Sequence, residues 1–152
     1  MAINWNKEQP APKAIWSIVK RNFPRARFLG IYVKRNIAGT TKPSSHGEGR
    51  ALDIGLLVKW PWEKEIGDGL FKIFIDNAKE LGLDYAIWNR QIWSTSKGGP
   101  RRYSGQSPHT DHIHLTFSKS GSQKNKFPKT ELAISVFSSG LSDLAGHRKK
   151  VG

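Results

Sequence analysis

Four of the five histidines in this chain of 152 residues fall in two short segments that lie about sixty residues apart. The first segment reads Ser44-x-His46-x-x-Gly49-x-Ala51-x-Asp53, and the second reads His109-x-x-His112-x-His114. Imidazole and carboxylate groups are the usual ligands of a catalytic zinc ion, which keeps one position open for water. If both segments bind one ion, the fold must bring residues 44–53 next to residues 109–114.

The spacing within each segment suits such a shared ion. Gly47 and Gly49 favour a loop that folds His46 back on the chain, because glycine readily adopts positive φ. His112 and His114 lie two positions apart, so they share one face if they belong to a strand. A lone His-x-His pair is often a surface accident, but the concentration of histidines in these two segments favours a joint metal site.

Hydrophobic periodicity predicts an α+β fold, with a small antiparallel sheet and flanking helices, because strands and helices do not alternate as βαβ units. Helices are expected over 13–22, 69–81 and 130–138, with Gly82 as the stop of the second. Strands are expected over 28–33, 50–56, 85–88, 91–94 and 113–117, and loops over 36–49 and 96–107. We divide the chain into an extended lead-in (1–12), a single catalytic domain (13–140) and a basic C-terminal tail (141–152).

Charge and composition bound the function. Lys and Arg number 25 against 12 Asp and Glu, and the net charge of +13 favours polyanionic partners such as nucleic acid, anionic membrane surfaces or acidic wall polymers. The absence of cysteine excludes thiol nucleophiles, Cys-ligated zinc and disulfides. No apolar stretch approaches the ~20 residues of a membrane span. No signal peptide is visible, so we expect secretion by another route, a phage-encoded protein or a trimmed domain.

The first motif, followed by a late His-x-His, resembles the LAS metallopeptidases. This group comprises lysostaphin-type enzymes, D-Ala-D-Ala carboxypeptidases and the sonic hedgehog domain. The second motif is most similar to the penicillin-insensitive murein endopeptidase branch, and Glu-Gly-Arg-Ala-Leu-Asp also occurs in cell-wall hydrolase domains of bacteria and phages. The resemblance spans roughly residues 28–118 and implies a hedgehog/DD-peptidase-like fold.

The resemblance also implies a cofactor and roles for individual residues. Zinc would be bound by His46, Asp53 and His114, and a zinc-bound water would be the nucleophile. His112 would act as general base and acid. Asp111 is the second candidate for proton transfer, since the carboxypeptidase branch carries Glu at that place, or it orients a ligand imidazole.

Further residues are candidates for catalysis or substrate binding. His109 corresponds to the outer histidine of the endopeptidase branch and would assist the transition state. Arg50 would either polarise the scissile carbonyl, pair with a substrate carboxylate, or be an ordinary strand arginine. Ser44 either binds substrate or shapes the loop. Three more residues are candidates for walls or edges of the cleft, although such aromatics are more often core: Trp88, Gln91 and Tyr103.

The resemblance predicts a zinc metallopeptidase that cuts amide bonds in peptidoglycan stem peptides or cross-links, as an endopeptidase or a carboxypeptidase. Such an enzyme would act in the periplasm or on the cell wall as an antibacterial effector or lysin, and an effector would have a cognate immunity or delivery protein. Two alternatives stay open: a metal-dependent nuclease or toxin, and a non-catalytic zinc-containing module that binds the cell wall. No specific nucleic acid and no membrane span are expected as partners.

Overall fold

A computed structural model describes the backbone of residues 2–151 and the side chains of residues 2–141. Its centre is a six-stranded antiparallel sheet in the order β1-β2-β6-β3-β4-β5, flanked by helices. The strands are β1 (Arg27–Gly30), β2 (Ala51–Gly55), β3 (Leu83–Trp88), β4 (Gln91–Ser94), β5 (Gly98–Arg102) and β6 (His112–Phe117). The predicted α+β class and antiparallel sheet are confirmed.

Over the residues that the structure describes, four α-helices flank the sheet, and several of their bounds differ from the expected ones. They are α1 (Pro10–Asn22), α2 (Pro61–Asp76), α3 (Ala78–Leu81) and α4 (Pro128–Val151), with a single 3-10 turn over Gly121–Gln123. Helix α1 begins three residues before the predicted 13, because proline is well tolerated in a first helical turn. Helix α4 extends well past the predicted 138, and the side chains of the predicted basic tail beyond 141 lie outside the described residues.

The helix predicted over 69–81 is two helices. Helix α2 begins eight residues earlier at Pro61, and it ends where the side-chain amide of Asn77 donates to the carbonyl of Ile73 at 2.8 Å. Gly82 ends α3 with φ of 66°, in the left-handed conformation expected of a C-terminal glycine. No helix in the described part of the chain is long and apolar enough to cross a membrane.

Two strand predictions need correction. The loop expected over 96–107 contains β5, an edge strand that pairs with β4 through Gln91↔Arg102 and Ile92↔Arg101. Its Gly-Gly-Pro-Arg-Arg sequence lacks apolar alternation, so only pairing with its neighbour makes it a strand. Strand β1 ends at Gly30 instead of 33, because the register shifts there and Gly30 takes φ of 132°.

Alternation along the central strands separates a core face from a polar face. Leu52 and Ile54 of β2 and Ile113 and Leu115 of β6 are fully buried among residues of the helices, including Phe74. Each such side chain contributes about 1.5–3 kcal/mol on burial. The intervening residues of the same strands necessarily point to the other face, and that face holds the candidate site.

Candidate metal centre

The candidate metal centre is built by the register of β2 against β6. Asp53 lies directly opposite His114, and opposed residues of an antiparallel pair point to the same face. As a result, Asp53 Oδ1 lies 2.9 Å from His114 Nδ1. His46, from the loop before β2, places its Nε2 3.0 Å from Asp53 Oδ2. The three predicted ligands therefore come together, with ligand atoms within 4.8 Å of one another.

Each ligand imidazole is oriented by a hydrogen bond from its other nitrogen. His46 Nδ1–H donates to the carbonyl of Ile31 at 2.8 Å, which leaves Nε2 toward Asp53. His114 Nε2 forms a hydrogen bond with Thr116 Oγ1 at 2.7 Å, which directs Nδ1 toward the same carboxylate; in the metal-binding tautomer Nε2 carries the proton and Nδ1 the lone pair. Outer partners of this kind fix the tautomer and the ring plane of metal-binding histidines.

Two observations show that these residues fit a metal ion. Among the described side chains, His46 Nε2 is one of two buried polar atoms that form no well-aligned hydrogen bond: it faces Asp53 Oδ2 at 3.0 Å, and the bond from Nδ1–H to Ile31 leaves its lone pair for a ligand bond. One ligand atom from each residue lies within 4.8 Å of the other two, a spacing comparable to the roughly 3.4 Å between zinc ligands at 2.0–2.1 Å in a tetrahedron. Two imidazoles and one carboxylate are also a usual donor set of catalytic zinc.

The protonation states follow from burial and from the contacts between the ligands. Burial favours a higher pKa for Asp53, but His114 and His46 outweigh it and hold that pKa well below the ordinary value. Burial dominates for His114 and lowers its pKa, so the ring is neutral. Burial also opposes the charged form of His46, yet the neighbouring Asp53 carboxylate raises the net pKa. An ionised carboxylate and neutral imidazoles are the forms that bind metals.

The loop that presents His46 is held by its serine and its glycines. Ser44 Oγ donates to the carbonyl of Arg35 at 2.9 Å and accepts from the Gly47 amide at 3.0 Å, so Ser44 shapes the loop. Gly49 has φ of 67°, and a Cβ there would lie 1.7 Å from the carbonyl oxygen of Lys7. Gly47 was expected to supply a positive φ, but the structure shows a different reason for glycine at this position. A side-chain Cβ added there would lie 2.3 Å from the carbonyl oxygen of Arg35.

The two further histidines of the second motif lie beside the ligands. His112 Nδ1–H donates to Asp111 Oδ1 at 2.7 Å, and His112 Nε2 is 3.8 Å from Asp53 Oδ1. The rings of His109 and His112 have centroids 4.4 Å apart, and burial lowers the pKa of His109. The Asp111 side chain is 68% exposed and contacts His112, whereas His112 is 17% exposed and faces the ligands.

The ligands open into two recesses on the polar face of the sheet. One is a cleft of about 400 Å³ that contains the three ligands, His109, His112 and Tyr103. The other is a cavity of about 610 Å³, lined by Ser44 and Arg50 among others. Both are lined by His46 and His114, so the ligands lie where the two recesses meet.

The remaining substrate-binding candidates are dispersed. Arg50 Nε donates to Glu48 Oε1 at 2.9 Å and Arg50 Nη1 donates to the Phe117 carbonyl at 2.8 Å, so this guanidinium joins the ends of β2 and β6. Trp88 and Gln91 line a separate cavity with α2, so of the two alternatives for Trp88 the structure shows the core position. Alternation along β3 gives the reason, since Ile87 lies opposite His114 and faces the ligands, whereas Trp88 faces the core.

Three residues near the ligands were not singled out from the sequence. Tyr85 stacks on the ring of His114 with centroids 5.4 Å apart, and Arg35 lines both recesses. Thr116 was detectable, because it follows His114 by two positions and must share its face of β6. The positions of Arg35 and Tyr85 depend on chain pairings that no local pattern reveals.

Comparison with known proteins defines the family. The chain belongs to the family described as VldE, C-terminal domain, which matches residues 5–114. The matched segment includes both histidine motifs and therefore all three candidate ligands. No curated protein and no solved structure matches the chain.

Proposed function

We propose that this protein is a zinc metallopeptidase of the LAS type, with a hedgehog/DD-peptidase-like fold, that cleaves amide bonds in peptidoglycan stem peptides or cross-links. The observation that carries the proposal is the group of buried His46, half-buried Asp53 and buried His114, in which both imidazoles turn a ring nitrogen to the one carboxylate. The three residues line an open cleft together with two further histidines, an arrangement that suits hydrolysis.

The three ligands would hold the zinc ion, with Ile31 and Thr116 orienting the two imidazoles. When bound, zinc supplies a Lewis acid that polarises the scissile carbonyl and makes water acidic enough to attack near neutral pH. Burial and contacts favour an ionised Asp53 and a neutral His114, whereas His46, whose pKa is raised beside Asp53, would release its proton when zinc binds.

His112 is the residue that the geometry favours for proton transfer. Because its Nδ1–H donates to Asp111, its Nε2 carries the lone pair and lies on the ligand side. This nitrogen would take a proton from the attacking water and deliver it to the leaving amine. Asp111, exposed at the rim, would fix the tautomer of His112 in the way that a carboxylate orients a catalytic imidazole.

His109 would bind the substrate beside this base. Its Nδ1–H donates to the carbonyl of Ser107 at 2.8 Å, and burial keeps the ring neutral, so its Nε2 is an acceptor for a substrate N–H. Tyr103 packs edge-on against the same ring with centroids 5.3 Å apart, which restrains the ring at the cleft wall.

The net charge of +13 supports action on an anionic cell wall, in the periplasm or outside the cell, as an antibacterial effector or lysin. The same charge would suit a nuclease. The cleft argues against that alternative, because Asp53 is the one carboxylate among the described residues that line it. Magnesium-dependent phosphodiester cleavage usually relies on several carboxylates.

Digestion of purified sacculi tests the proposal. Zinc-loaded protein is expected to release soluble fragments whose masses identify the cleaved amide bond, and chelated protein is expected to release none until zinc is returned. Asp53→Asn should be inactive at every zinc concentration. Parallel incubation with DNA and RNA distinguishes the nuclease, since cleavage of nucleic acid with intact sacculi would refute a peptidase.

A further inference from the structure

We propose that Arg35 binds a carboxylate group of the substrate next to the scissile bond, an inference that rests on the peptidase function proposed above. Arg35 lines both recesses that meet at the candidate ligands. A substrate that extends from one recess into the other would therefore lie next to Arg35, close to the reacting amide. This position makes Arg35 a determinant of specificity and not a ligand.

The backbone of Arg35 is fixed by the ligand loop itself. Its carbonyl accepts hydrogen bonds from both the amide and the hydroxyl of Ser44, each at 2.9 Å. The adjacent chain is joined to the loop where the Val33 amide donates to the His46 carbonyl at 3.1 Å. The same loop thus sets the positions of His46 and Arg35, and Ser44 contributes by holding Arg35 in place.

The charge of Arg35 has no ion-pair partner among residues 2–141, whose side chains the structure describes. Among the side chains that the structure describes, no carboxylate forms an ion pair with Arg35. The neighbouring Arg50 differs, because Glu48 and Asp84 lie 2.9 Å and 3.5 Å from its guanidinium. The Asp53 carboxylate is occupied by His46 and His114. An exposed guanidinium in this position is free for an incoming anion.

A carboxylate is the anion that the chemistry favours. A planar guanidinium binds carboxylate with two parallel hydrogen bonds, and such charge-assisted bonds are about twice as strong as neutral ones. Peptidoglycan stem peptides carry free carboxyl groups beside several of their amide bonds, and amidation removes the charge without changing the shape. The inference therefore predicts that the enzyme distinguishes free from amidated stem peptides.

The test uses two cross-linked stem-peptide dimers, one with its carboxyl groups free and one with the same groups as carboxamides. Zinc-loaded wild-type protein is expected to cleave the acid form with a kcat/KM roughly 10–100-fold higher than the amide form. Arg35→Gln should lose this preference by slowing cleavage of the acid form alone, and Arg35→Lys should retain part of it. Arg25→Gln removes an exposed charge elsewhere and should keep the full preference.

Binding of the same dimers, measured by calorimetry, separates this inference from the proposed function. If wild-type protein cleaves neither dimer, the peptidase proposal fails. The affinities for the acid and the amide dimer then still decide whether Arg35 binds a carboxylate. Tighter binding of the acid form that is lost in Arg35→Gln supports the inference. Equal binding of the two forms by wild-type protein, or an equal loss for both forms in Arg35→Gln, overturns it.

Discussion

At the scale of single residues, the two ligand histidines present different ring nitrogens to the same carboxylate. His46 presents Nε2 because the Ile31 carbonyl accepts its Nδ1–H, and His114 presents Nδ1 because its Nε2 is hydrogen-bonded to Thr116 Oγ1. The choice of nitrogen is thus made by a backbone carbonyl and a hydroxyl that are not ligands. His112 follows the same principle, with Asp111 as its partner.

Replacement of His112 tests its role as the base. His112→Asn is expected to lower kcat by about 10²–10⁴-fold, because no group is left to move the proton, while the zinc content stays at the wild-type value. Asp111→Asn should cost much less, since its amide oxygen can still accept from His112 Nδ1–H. Steady-state kinetics and metal analysis of both variants measure this. A larger loss in Asp111→Asn than in His112→Asn would assign proton transfer to Asp111.

Zinc affinity is expected to depend on pH through His46. Its pKa is raised by Asp53, and only the neutral ring binds metal. Affinity should therefore be full above that raised pKa and fall as the pH drops through it. Competition with a coloured chelator from about pH 5 to about pH 9 measures the dependence. An affinity that does not change over this range contradicts the assignment of His46 as a ligand.

Some residues of the site could be predicted from the sequence, and others could not. His46, Asp53 and His114 stood out because histidine is scarce elsewhere and their spacing suits loop and strand. Trp88 stayed open between cleft wall and core, because the face of β3 that meets the ligands depends on the pairing of Ile87 with His114, which no local pattern reveals. Arg35 carries no local signal, since its position depends on hydrogen bonds to a loop nine residues later.

At the scale of elements, the site depends on a loop that is packed against the lead-in. The Gln9 amide donates to the Gly49 carbonyl at 2.9 Å, and the Gln9 side chain reaches the Glu48 carbonyl. The segment expected to be a mere lead-in therefore supports the turn between His46 and Asp53. Sequence patterns predicted β2 and β6 well because their apolar alternation is strong, and they missed β5 because it has none.

A pair of glycine variants tests the packing of this loop. Gly49→Ala is expected to lower the free energy of unfolding by about 2–4 kcal/mol, because it combines positive φ with a clash against Lys7. Gly39→Ala should cost only about 1–2 kcal/mol, since its φ of 77° is similar but its Cβ meets nothing within 4 Å. Urea unfolding compares the two variants. Equal costs would contradict the close contact with the lead-in.

At the scale of the whole molecule, the candidate ligands join parts of the chain that are far apart in sequence. His46 and Asp53 precede α2, whereas His114 lies on the sixth strand, between β2 and β3 in the sheet. A metal ion bound to all three would link the first third of the chain to its last strand. Because zinc would bind the three ligands only in the folded protein, zinc binding would stabilise the folded state by mass action.

Thermal unfolding measures this linkage. Zinc at about one hundred times its Kd should stabilise the protein by about 2.7 kcal/mol, which corresponds to a rise in Tm of roughly 5–10 °C. Asp53→Asn should show no rise, and Asp111→Asn, which leaves the ligands intact, should show the full one. An equal rise in Asp53→Asn would mean that zinc binds elsewhere.

The most direct test of the central claim is a titration of metal-free protein with zinc, followed by the rate of fragment release from sacculi. We expect no release without zinc, a linear increase in rate, and a break at one zinc per chain, because one group of three ligands holds the catalytic ion. Full activity of the metal-free protein, or no activity at any zinc concentration while the protein is folded, would contradict the claim.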